Sequence, residues 1–144
     1  MKLAEFIQKH VKTSVDYDKA FGAQCVDLFR QYCVEVLEIP EHTGSVTGAR
    51  ELYLNYEKLP KEIKYFLRWD AYTQAEPGIV AVWDCTSTNI FGHVAIVIAD
   101  LGASLIVFEQ KGKEDPKAET KAEIYERSKD GLLGYLKVKP KEMW

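Results

Sequence analysis

FGAQCVDLFRQYC, residues Phe21 to Cys33, decides how the rest of the chain is read. From Cys25 onward, apolar side chains recur at Cys25, Leu28, Phe29, Tyr32, Cys33, Val36 and Leu37, the i, i+3, i+4, i+7 spacing of a helix with one buried face. Cys25 therefore stands at a helix N-terminus, on the buried side. Backbone N–H groups are unpaired there and the helix dipole is positive, so the place suits an anion. The competing reading is an inert core residue, because free cysteine is among the most buried residue types.

Upstream, Leu3, Phe6, Ile7, His10 and Val11 repeat at helical spacing and predict a first amphipathic helix over about residues 2–12, with His10 as a packed histidine on its apolar side. Residues 13–24 lack that rhythm and carry Asp16, Asp18 and Gly22, which marks a loop into the Cys25 helix. That helix is expected to end near Ile39, where Pro40 disfavours further helical backbone. After a polar connection over 41–48, Ala49, Leu52, Tyr53 and Tyr56 mark a third, shorter helix, whereas 62–69 reads equally as helix or strand. Beyond Pro77 and Gly78 the texture turns to β-branched and aromatic residues in three runs, 79–83, 93–98 and 105–108. Short separations between them imply an antiparallel meander, with 93–98, apolar on both faces, at its centre. Residues 111–121 read as a charged, mobile loop, 121–127 as a strand or short helix, and 134–138 as a closing strand. Helices first and strands later give an α+β class, and without a repeat or composition break residues 1–144 form a single domain.

Composition narrows the function. A chain of 144 residues with 47% hydrophobic and 28% charged residues can build one core without disulfide staples. A net charge of -3 and a pI near 5.7 argue against a phosphate-neutralising surface, so nucleic acid is not an expected partner. No apolar run reaches membrane-spanning length, and MKLAEFIQKHVK lacks a signal-peptide core, so synthesis in a cytoplasm without membrane insertion is expected. Three cysteines without a C-x-x-C pair point to reduced thiols, neither a disulfide framework nor a structural zinc site.

A cysteine nucleophile needs a base, and the base needs a polar group that fixes its tautomer and stabilises its cation. Of the three histidines, His93 opens the apolar run HVAIVI directly after Gly92, while His42 lies in a polar connection. Glu109 sits near the end of the next strand, SLIVFEQ, where an antiparallel pairing can bring it beside His93. Each alone has a bland reading: His93 as a packing residue, Glu109 as a strand-end charge facing water. Together they order as Cys25, His93, Glu109 and converge on one mechanism.

GAQCVDL, then PGIVAVW, FGHVAIV and FEQ, resembles the CHAP family of cysteine, histidine-dependent amidohydrolases and peptidases, found in phage endolysins and bacterial wall hydrolases. The resemblance runs from about Asp16 to Gly134 and implies a papain-like fold in which helices bearing the cysteine pack on an antiparallel sheet bearing the histidine. It implies that Cys25 attacks an amide carbonyl, His93 acts as base and then acid, Glu109 orients His93, and Gln24 with the Cys25 N–H stabilises the oxyanion. Two departures stand out: Ile79 follows Pro77-Gly78 where the family often has aspartate, and Lys111 stands two residues after Glu109 where asparagine is frequent. Lysine accepts no hydrogen bond, so any support from that asparagine is lost or changed.

Asp16, Asp18, Ala20, Gly22 and Asp27 fall at relative positions 1, 3, 5, 7 and 12, the spacing of an EF-hand loop. Phe21 replaces the usual turn glycine and Asp27 the usual bidentate glutamate. Calcium bound there, in a structural or activating role, resembles what some CHAP lysins do, and no organic cofactor is expected. The alternative is three solvated acids capping a helix start. Trp69 and Trp83 read as core or as a groove lining, Cys33 as core and Cys85 as a surface thiol.

The resulting expectation is a peptidoglycan hydrolase, either an N-acetylmuramoyl-L-alanine amidase or an endopeptidase. It would be made in a host cytoplasm and act on the wall after release, or be virion-associated. Two alternatives remain: a papain-like amidase on a small intracellular amide, and a non-catalytic virion or wall-binding module of the same fold, suggested by Lys111.

Overall fold

The computed structural model describes residues 1–18, 24–43, 46–111 and 120–144. In chain order these form α1 (Leu3–His10), α2 (Cys25–Glu35), α3 (Glu51–Leu54), a 3-10 turn (Tyr56–Lys58), α4 (Pro60–Tyr65), β1 (Phe66–Asp70), β2 (Val80–Trp83), β3 (His93–Asp100), β4 (Ser104–Gln110), β5 (Ala122–Ser128), β6 (Leu132–Val138) and a last 3-10 turn (Lys141–Met143). The strands make one antiparallel sheet ordered β1-β6-β2-β3-β4-β5. The class is α+β, and the expected meander is present as β2-β3-β4, extended by β5, with β3 inside the sheet.

Why these strands are apolar on both faces follows from the alternation of side chains along an extended chain. Val80, Val82, Val94, Ile96 and Phe108 point to the face covered by helices, where they join Phe6 of α1 and Leu28, Phe29 and Tyr32 of α2. Ala81, Trp83, Ala95, Val97, Leu105 and Val107 point to the other face and form a second cluster with Ile79 and Tyr135. Phe6, fully buried, meets Tyr32 and Phe108 edge-on at ring-centroid distances of 5.5 and 6.0 Å, which seats α1 against both α2 and β4.

The structure corrects several boundaries. α2 stops at Glu35 instead of continuing to Ile39: Glu38 turns left-handed at φ 56°, and the Leu37 and Ile39 N–H groups fold back onto the Tyr32 and Cys33 carbonyls. The third helix is shorter than its pattern, with Tyr56 in the 3-10 turn. Residues 62–69 are both helix and strand, α4 passing into β1 at Phe66. The segment at 121–127 is strand β5, and the closing strand begins earlier, at Leu132. The loop expected over 111–121 falls mostly outside the described residues.

Candidate active site

The start of α2 is set by reciprocal capping. Gln24 is extended at φ -130°, ψ 171°, and its N–H donates to Asp27 Oδ2 at 2.9 Å, so Cys25 is the first helical residue. Cys25 is half-buried, so its position is fixed while the sulfur keeps some access.

His93 is placed by the glycine before it. Gly92 has φ +76°, and a Cβ there would lie 2.6 Å from the Trp83 carbonyl oxygen and 2.7 Å from Arg50 Cβ, so only glycine allows this approach. His93 then pairs with Trp83 across β2 and β3, their rings 5.8 Å apart. The ring interacts with the Cys25 sulfur on one hand and Glu109 on the other. Nε2 lies 2.7 Å from Glu109 Oε2, a close ion pair when the ring is protonated. Nδ1 is the ring nitrogen left for the thiol.

Glu109 is completely buried and does not face water. Its two oxygens accept a fork from Arg127 on β5, Nε to Oε1 at 2.9 Å and Nη2 to Oε2 at 2.6 Å. Arg127 in turn lies over the Trp83 ring, 5.5 Å from its centroid. Trp83 is thus core, buried beneath the ion pairs, with its N–H on the Ser128 carbonyl at 3.0 Å. Sequence reasoning missed Arg127 because AEIYERS reads as a solvated strand; the signal that could have found it is the buried acid's need for a cation. Lys111 points elsewhere, its ammonium 4.3 Å over the Tyr125 ring.

Burial disfavours charge on both central groups, and their partners overturn it. For His93, burial works against the cation, but Cys25 and Glu109 raise it to about 9. For Glu109, burial works against the anion, but His93 and Arg127 lower it to about 2. The pair is charged at neutral pH.

Around the first turn of α2, which holds Asp27, carboxylate oxygens of Asp16, Asp18 and Asp27 lie within 4.8 Å of one another. Asp16 Oδ1 is buried without a hydrogen-bond partner. Burial first, then the charges of Asp18 and Asp16, push Asp27 upward against the lowering effect of the Gln24 N–H. Arg30 reaches Asp18 Oδ2 at 3.1 Å. Three converging oxygens with an unmet buried acceptor fit a hard cation; Ala20 and Gly22, expected to complete the set, lie outside the described residues. The other histidines stand apart in role: His10 Nε2 is 2.6 Å from Glu35, and His42 stacks on Tyr17. Cys33 is core, and Cys85 is exposed beside Arg50.

A CHAP domain model matches residues 14–111. The chain belongs to the CHAP domain family. Among solved structures, this CHAP chain resembles the wild type endolysin LysIME-EF1, with a TM-score of 0.64 and 17% identity over 95% of this chain and 64% of that one. Ly7917 gives a TM-score of 0.65 and 17% identity over 96% of this chain and 62% of that one. A second structure, Ly7917 with the hydrolyzing product of MDP, gives 0.63 and 16% over 92% and 60%. The chain spans less than two thirds of the length of these proteins, and at such identities the likeness is one of fold. No curated protein matches the sequence. Among the described residues no helix is long and apolar enough to cross a membrane.

Proposed function

We propose that this CHAP domain hydrolyses an amide bond of bacterial peptidoglycan, as an N-acetylmuramoyl-L-alanine amidase or an endopeptidase, with Cys25 as nucleophile. The observation that carries the reading is His93 held between the Cys25 sulfur and a buried, ionised Glu109. Membership of the CHAP family, and the endolysins of like fold, direct it to the wall. The protein would act there after release from a host cell or as part of a virion.

In this mechanism the proton shared between Cys25 and His93 rests on the imidazole, which Glu109 keeps charged, and the sulfur adds to the amide carbonyl carbon. The oxyanion is met by the Cys25 N–H and the Gln24 side chain. Collapse breaks the C–N bond as His93 returns its proton to the leaving amine, giving a thioester and a free amine. Water, deprotonated by His93, then cleaves the thioester and regenerates the thiol. Glu109 keeps the imidazolium stable and its ring oriented throughout.

The pH dependence follows from the charged pair. Because His93 is raised to about 9, the proton for the leaving amine is retained through neutral pH and lost as pH passes about 9. Activity is therefore expected to fall on the alkaline side near that value, and the stabilisation from the His93 cation to fade over the same interval from its ordinary value upward. A pH profile of kcat/KM with its alkaline limb near 6.5 would count against the ion pair.

Calcium, if bound, would be held by Asp16, Asp18 and Asp27, and it would clamp the loop that leads into Gln24 and Cys25. At about 100 times its Kd it would stabilise the fold by about 2.7 kcal/mol, a rise in thermal midpoint of roughly 5–10 °C. Mass analysis of muropeptides released from purified walls, with calcium and with chelator, reads bond and metal together. Release of new amine and carboxyl ends that stops on chelation is expected; a midpoint indifferent to millimolar calcium removes the metal from the account, and walls left intact remove the function.

A further inference from the structure

Glu109 ends one half of the site, and the next residue along β4 reaches the other half. Gln110 is completely buried, and its carboxamide is fully used: Oε1 accepts the Val15 N–H at 2.7 Å, and Nε2 donates to the Val15 carbonyl at 2.7 Å and to the Gln24 carbonyl at 2.9 Å. Successive residues of a strand point to opposite faces, so the end of β4 sends Glu109 toward His93 and Gln110 toward the segment preceding the helix.

The Gln24 carbonyl belongs to the same peptide unit as the Cys25 N–H. That unit is planar and trans, so its C=O and N–H point in opposite directions, and fixing one fixes the other. The Cys25 N–H is the first of α2, one of the N–H groups at a helix start that the helix's own ladder does not use. The Gln24 carbonyl also accepts the Asp27 and Leu28 N–H groups at 3.1 and 3.4 Å, and Gln110 adds a third donor from the sheet. Helix bonds alone tie the peptide to α2; the Gln110 bond ties it to the strand that carries Glu109.

We infer that Gln110 is a positioning residue for the oxyanion site: by holding the Gln24 carbonyl it aims the Cys25 N–H at the place where the substrate oxygen becomes negative. The inference rests on the nucleophilic role proposed for Cys25. Its grip on both polar groups of Val15 fixes the residue before Asp16 too, so the acidic loop and the nucleophile share one anchor.

The test compares two reactions of the same sulfur. Hydrolysis of a soluble muropeptide builds an oxyanion; alkylation of Cys25 by iodoacetamide displaces iodide at a saturated carbon and builds none. Gln110→Glu retains size but replaces two donors with an acceptor facing two carbonyls. It should lower kcat about 100-fold through misaimed oxyanion geometry, with KM and the alkylation rate each changed less than about threefold. Gln110→Asn, which keeps the carboxamide on a shorter stem and serves if Gln110→Glu does not fold, should lower kcat roughly tenfold with alkylation equally spared. A folded variant whose kcat is unchanged, or whose kcat and alkylation rate fall in step, overturns the role assigned to Gln110 while leaving the hydrolase intact. A wild type that alkylates at Cys25 but cuts no muropeptide overturns both.

Discussion

Cys25→Ala is expected to abolish wall hydrolysis, by roughly 10⁴-fold or more, while the protein stays folded. The size follows from mechanism: removing the nucleophile of a covalent route leaves only what binding and oxyanion donors supply to water. Folding should survive because Cys25 is half-buried at the first position of α2, where the cap is formed by Gln24 and Asp27 and not by the thiol. The other thiols provide the contrast. Cys33 is buried and its thiol is pushed up to about 12 by that burial, so it should resist alkylation at neutral pH, and Cys33→Ala should act on stability alone. Cys85 is exposed, and Cys85→Ala should leave hydrolysis untouched. Turbidity clearing of purified walls, with circular dichroism on each variant, separates these outcomes. Activity retained by Cys25→Ala would end the cysteine mechanism, whatever the wall products.

The parts of this fold that could be read from the chain are those whose signal is local. The runs at 79–83, 93–98 and 105–108 were legible because apolar side chains are buried on both faces of these strands, which leaves each strand continuously apolar. The insertion of β6 between β1 and β2 was not, since it joins the last strand to one about 70 residues earlier through pairs such as Phe66↔Val138, and no local pattern encodes a distant partner. The α4–β1 junction was ambiguous for another reason: Tyr65 and Phe66 are both buried, and neither glycine nor proline separates them. At the site, Cys25, His93 and Glu109 stood out as chemistry-bearing residues in unusual places. Continuing the pairing of Ile96 with Phe108 puts Glu109 opposite Ala95, so it reaches His93 diagonally and not directly across. Arg127 and Gln110 gave no such signal. A charged residue in an alternating strand and an amide at a strand end become legible only when the fold supplies the buried groups they satisfy.

Removing the Glu109 carboxylate should have the second largest effect, because it takes the counter-charge from two cations at once. Glu109→Gln keeps the shape but leaves Arg127 without its fork and His93 without its counter-charge. Breaking a buried pair from one side typically costs 3–5 kcal/mol, and the 30% exposure of the Arg127 side chain places the cost near the lower end, about 3 kcal/mol. The thermal midpoint should then drop by roughly 6–12 °C. Activity should fall by about 10²–10⁴, as expected when a histidine loses the acid that orients it, and the alkaline limb should move down from about 9. Stability and catalysis can be separated by a second change. In Glu109→Gln combined with Arg127→Met the guanidinium deprived of its carboxylate is gone, so much of the lost midpoint should return, whereas His93 still lacks its anion and activity should stay low. If the double variant regained hydrolysis along with stability, Glu109 would be serving only to neutralise Arg127. Recovery of the fold without recovery of rate would place its effect on the imidazole, with Arg127 as the cation that allows a carboxylate to remain charged where no water reaches it.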